Sequence, residues 1–90
     1  MADFDFPDDL LQLQRDFYAA DRRCGEISAS HPRAADIVTG VAEVTAEQRA
    51  ELAAARAERL RITEQMQGHT WWETVDVAAA KAALRKATQA

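Results

Sequence analysis

Residues 6–27 read FPDDLLQLQRDFYAADRRCGEI, and this stretch decides the fold. Its apolar side chains fall at Phe6, Leu10, Leu13, Phe17, Ala20, Cys24 and Ile27, in alternating steps of four and three. That is the heptad spacing of a helix with a single apolar seam; a strand would repeat every second residue. Pro7 suits the first helical turn, where its missing N–H costs no hydrogen bond. Asp8 and Asp9 follow at the positive end of the helix dipole. Pro32 disfavours helical geometry at His31, so the first helix is predicted over about residues 7–29. Gly25 lies inside the pattern, where glycine costs about 1 kcal/mol relative to alanine. It either permits a close backbone approach or weakens the helix end.

Working outward, residues 30–44 form a connector punctuated by Pro32 and Gly40. Ile37, Val38, Val41 and Val44 give it β-branched content, but a strand would have no partner. A short helical turn or an ordered loop is expected, with these aliphatic side chains packed over the end of the helix pair. Thr45, with Gln48 three residues later, has the spacing of a capping box, and Gly68 suits the C′ position. A second helix is therefore predicted over residues 45–67. It carries two seams, Leu52–Ala55–Arg59–Ile62–Met66 and Ala46–Ala50–Ala53–Ala57–Leu60, on well-separated faces. One is expected to dock on the first helix, the other to meet a third helix or a partner. Residues 68–76 form a second connector, containing both tryptophans. Asp76 is a plausible N-cap for a third helix over residues 77–88, with Val77, Ala80, Leu84 and Ala87 facing inward. Lys81, Arg85 and Lys86 fall toward its C-terminal half, where cations suit the dipole. The predicted fold is all-α, a single domain over residues 1–90: an antiparallel helical hairpin with a shorter third C-terminal helix.

Composition bounds what such a fold can do. Of 43 apolar residues 20 are alanine, which leaves 23 larger side chains to build a core. At roughly 25 cal/mol per Å² of buried apolar surface, alanine contributes slowly, and a thin-cored monomer or a chain that completes its core by pairing is expected. The net charge is −4, and Asp3, Asp5, Asp8 and Asp9 account for all of it, since the remaining eleven acids balance eleven basic residues. An acidic chain with evenly mixed charge is ill suited to neutralising phosphates, and no basic amphipathic face for a membrane surface is present. The N-terminal segment lacks the apolar run of a signal peptide, and no stretch reaches the roughly 20 apolar residues of a membrane span. A lone cysteine, Cys24, fits a reducing compartment, so a cytoplasmic location is expected.

Three features resemble a group of short, uncharacterised bacterial helical proteins: the opening Phe6-Pro7-Asp8-Asp9-Leu10 with Gln14, the helix start Thr45-Ala46-Glu47-Gln48-Arg49, and an aromatic connector before an Ala-rich tail bearing Lys and Arg. The resemblance covers most of the chain and implies a helical fold. It carries no known activity and assigns no functional residue.

The chemistry-bearing residues are sparse. Cys24, His31 and His69 match no zinc-ligand spacing, so no metal is expected. Cys24 lies on the core seam, which argues against a reactive thiolate, and the three glycines are isolated rather than gathered into a phosphate loop. Neither an enzyme nor a cofactor is expected. On the second helix Arg49, Arg56, Arg59 and Arg61 interleave with Glu47, Glu51, Glu58 and Glu64, the pattern of a solvated face of mixed charge. Lys81, Arg85 and Lys86 are the one unbalanced basic patch and the weak nucleic-acid candidates. Trp71 and Trp72, being adjacent, point in different directions on regular backbone. One is expected to plug the helix pair near Met66 and Leu84, and the other to stay partly exposed. A non-enzymatic protein–protein interaction module, an adaptor or regulator working through helix faces, is the leading expectation, with Leu11, Tyr18, Trp71 and Trp72 as contact candidates. A small DNA-associated regulator using the basic tail and a structural homodimer are the alternatives.

Overall fold

A computed structural model describes residues 4–89. Helix α1 spans Asp8–Ser30, with Pro7 as its N-cap and Asp8 and Asp9 in the first turn. The backbone N–H groups of Leu10 and Leu11 both donate to the Pro7 carbonyl at 3.1 Å, so proline starts the helix by accepting. At the other end His31 turns extended (φ −74°, ψ 156°), as the clash with Pro32 requires. Gly25 is exposed, and a Cβ built on it meets nothing within 4 Å. No close approach therefore explains this glycine.

Helix α2 is a five-residue turn, Ala34–Val38, within the first connector. Gly40 closes it with φ +77°, a left-handed conformation in which a Cβ is strained. The expectation that the connector's aliphatic residues pack over the helix pair does not hold. Val38 and Val41 are 85% and 79% exposed, and Ile37 is 40% exposed. A one-turn helix between Pro32 and Gly40 is too short to fold them back. Only Val44 is half-buried.

Helix α3 spans Ala46–Gln67 and opens with a complete capping box. The Gln48 N–H donates to Thr45 Oγ1 (3.0 Å), and the Thr45 N–H donates to Gln48 Oε1 (2.9 Å). A 3-10 turn follows at Thr70–Thr74, then helix α4 at Val77–Thr88, capped by the Asp76 carboxylate on the Ala79 N–H. No strand occurs among the described residues.

The two long helices lie against each other with their contacts in opposite order. Asp9 near the start of α1 meets His69 just past α3, Asp21 meets Arg59, and Cys24 and Ile27 pack with Ala55 and Leu52. The first seam of α3 is thus the inward one. α4 lies along the first half of α1, its end reaching Tyr18 and Arg22. It buries Ala80, Leu84 and Thr88 in two steps of four, whereas Val77 (40% exposed) and Ala87, both expected inward, are exposed. The Thr88 hydroxyl, donating to the Leu84 carbonyl at 2.8 Å, makes a polar side chain tolerable there. Leu10 and Leu84 are the largest fully buried side chains, and each contributes about 1.5–3 kcal/mol by transfer from water.

α4 packs on α1 and does not cover the second seam of α3, so of the two covers expected there, a third helix or a partner, it is not the third helix. Ala46, Ala50, Ala53, Ala57 and Leu60 are all exposed, on the side of α3 opposite its buried face. Leu84 of α4 is buried beside Gln14 and Phe17 of α1, a more apolar surface than an alanine row.

Candidate functional site

Where α1, the end of α3, the 3-10 turn and α4 converge, a cleft of about 240 Å³ opens. Its floor is Gln14, Phe17 and Tyr18 of α1; one side is Thr63, Met66 and Gln67 of α3. Trp72 closes one end, and Lys81, Leu84 and Arg85 of α4 form the remaining wall.

The aromatic end is built by a short relay. His69 Nδ1 accepts from the Trp71 N–H at 3.2 Å, which caps the 3-10 turn. Its Nε2 lies 3.0 Å from Asp9 Oδ2 and ties the turn to the start of α1. With Nδ1 accepting, the ring proton of the neutral tautomer sits on Nε2, facing the carboxylate. Hydrogen bonding to His69 holds the Asp9 carboxyl below its ordinary value of 3.8. The Trp72 indole N–H donates to the Met66 carbonyl at 2.6 Å. That carbonyl lies in the last turn of α3, where acceptors lack partners within the helix.

The tighter winding of the 3-10 turn sets the two tryptophans at 66° to each other, centroids 5.4 Å apart. Trp71 turns to Phe6 (5.2 Å) and Phe4 (6.2 Å), while Trp72 faces the cleft. Both are half-buried: Trp72 takes the place beside Met66 and Leu84, and Trp71 keeps part of its surface exposed. Lys81 Nζ stands 5.9 Å from the Trp72 ring centroid, a cation–π contact worth about 0.5–1 kcal/mol at an exposed site.

Two polar side chains lie in the floor. Gln14 is 6% exposed. The Tyr18 hydroxyl is sealed from solvent and unpaired. Such a group costs about 1–3 kcal/mol if nothing satisfies it.

Among the residues singled out from sequence, Tyr18, Trp72, Lys81 and Arg85 come together at this cleft. Leu11 is half-buried on the Tyr18 side of α1, Trp71 belongs to the Phe4–Phe6 cluster, and Lys86 points elsewhere; none of the three lines the cleft. Gln14 and Phe17 were missed as site residues. A signal for Gln14 existed: it lies four residues after Leu10 and three before Phe17, a core position holding an amide. Among the described residues no group of three His, Cys, Asp or Glu side chains is placed to hold a metal ion. No helix there is long and apolar enough to cross a membrane.

A family profile matches residues 9–87, from the first turn of α1 nearly to the end of α4. The chain belongs to the DUF8825 family. That family is described as a domain of unknown function, so membership fixes the kinship of the whole four-helix body without assigning it a chemistry. The match spans every wall of the cleft and begins after Phe4 and Phe6. No curated protein and no solved structure matches the chain.

Proposed function

We propose that this DUF8825 protein is a non-enzymatic interaction module that binds a protein partner through the outer face of α3 in the cytoplasm. One observation carries it. The row Ala46, Ala50, Ala53, Ala57 and Leu60 keeps heptad spacing over two repeats and stays exposed, with Leu60 57% accessible. Single exposed apolar residues need no explanation, but an ordered row does. Small side chains let a second helix approach closely, and Leu60 supplies a larger anchor at one end. Arg49 and Arg56 flank the row on one side and Glu47 and Arg61 on the other, which gives a partner charges to read.

The test is photo-crosslinking from a benzophenone side chain placed at Ala57 in the native host cell. A discrete adduct that disappears on Leu60→Glu is expected. Its mass separates a homodimer from an adaptor bound to another protein. No adduct at Ala57, or one unchanged by Leu60→Glu, refutes the proposal. Because Leu60 is exposed, the substitution leaves the folded helix content unchanged, and circular dichroism checks this.

A further inference from the structure

We infer that the cleft between α1, α3 and α4 binds a small monoanion with an apolar tail, such as a short-chain or aromatic carboxylate. This site is separate from the outer face of α3, and the two stand or fall independently.

The walls choose the tail. Phe17, Met66, Trp72 and Leu84 present hydrocarbon and aromatic surface, against which water makes few hydrogen bonds. The volume of about 240 Å³ corresponds to about eight waters at roughly 30 Å³ each. It is smaller than the roughly 300 Å³ at which sites for drug-sized ligands begin. A single ring or a short chain fits; a nucleotide or a peptide segment does not.

The rim chooses the head. Lys81 and Arg85, one turn apart on α4, both line the cleft, and no carboxylate does. Neither cation forms an ion pair among the described residues, where the pairs are Arg59–Asp21, Arg61–Glu58 and His69–Asp9. The patch is therefore uncompensated locally within a chain of net charge −4. Lys81 is held over the Trp72 ring, so the aromatic wall that would take the tail also presents the charge that would take the head. Gln14, 6% exposed, adds a side-chain amide to the cleft floor. An anionic head at the rim answers Lys81 and Arg85. A cationic head would meet Lys81 and Arg85, and a neutral one would leave their charge unanswered.

The test uses the whole chain and three eight-carbon probes: octanoate and octylammonium below their micellar concentrations, and octanol below its solubility limit. Tryptophan fluorescence follows binding, and two-dimensional NMR locates it on the Gln14 side-chain amide and the Trp72 indole N–H. Octanoate is expected to bind saturably at millimolar concentration or better, and octanol at least tenfold more weakly, as loss of a charge-assisted contact implies. The double variant Lys81→Gln/Arg85→Gln should weaken octanoate by the same factor and leave octanol unchanged. Thr63→Phe, which fills the cleft from the α3 side, should abolish binding of both. Equal binding of octanoate and octanol overturns the inference. So does the absence of saturable shifts, or shifts that fall outside the cleft. Lys81 and Arg85 are both exposed, so the double variant folds and decides the matter even if Thr63→Phe does not.

Discussion

Two glycines in this chain have opposite reasons for being glycine, and exchanging each for alanine tests the description of both. Gly25 sits in the interior of α1 with ordinary helical backbone, exposed, with nothing within 4 Å of a built Cβ. Alanine there adds no clash and removes conformational freedom from the unfolded chain. The helix-interior difference is about 0.8–1.0 kcal/mol in peptide hosts. Gly25 lies within two turns of the helix end, where fraying dilutes the benefit, so Gly25→Ala should stabilise by about 0.5–1 kcal/mol. For a domain of this size that raises Tm by roughly 2–8 °C. Gly40 also has open space around it, but its φ of +77° puts a Cβ against the following carbonyl. Gly40→Ala should therefore destabilise by about 1–2 kcal/mol. Urea and thermal unfolding followed at 222 nm measure both variants on the same scale. A Gly25→Ala protein no more stable than the parent would mean that this backbone is not helical, or that α1 ends earlier than Ser30. A neutral Gly40→Ala would mean that the turn after α2 relaxes freely and its conformation is not set by glycine.

Two further outcomes follow from the capping contacts. Thr45→Ala removes one half of the α3 capping box and should cost about 1 kcal/mol, read as a lower urea midpoint with unchanged slope. The Asp9–His69 contact links stability to pH. Asp9 titrates below 3.8 in the folded chain, so its contribution is fully present above that value and is lost as pH falls through the lower folded one. Asp9→Asn should flatten the fall of the urea midpoint in that acid window. An identical acid profile in parent and variant would show that the contact does not form in solution.

The legible parts of the fold were those in which one local rule decides one local outcome. The seam from Leu10 to Ile27 is a matter of period, the start of α3 follows from Thr45 and Gln48, and the start of α4 follows from Asp76. The groove that α4 occupies was not legible, because period tells which residues share a face and not which face another helix will choose. That choice was settled by the depth available to Leu84, a property of two other helices together. The exposed valines of the first connector were misjudged because β-branched residues were assumed to be buried, although the chain between Pro32 and Gly40 is too short to return them. At the cleft, Tyr18, Trp72, Lys81 and Arg85 were each singled out for separate reasons. Their convergence could not be seen until the 3-10 turn fixed the direction of the indole. Gln14 escaped attention because an amide does not look like a core residue, and it is that mismatch between chemistry and burial which gives the cleft its character.

α4 covers only the first half of α1, and this makes the molecule unequal along its length. Around Gln14, Met66 and Leu84 three helices converge, whereas around Cys24, Ile27, Leu52 and Ala55 only two helices meet. Opening free energies scale with the apolar contacts that must be broken, so the amides of the two-helix half should exchange with solvent through partial openings that leave the three-helix half closed. The body of 56 × 21 × 18 Å is thus a firm end joined to a breathing one. The tryptophans lie in the firm end, and their fluorescence reports on that end while remaining blind to the other.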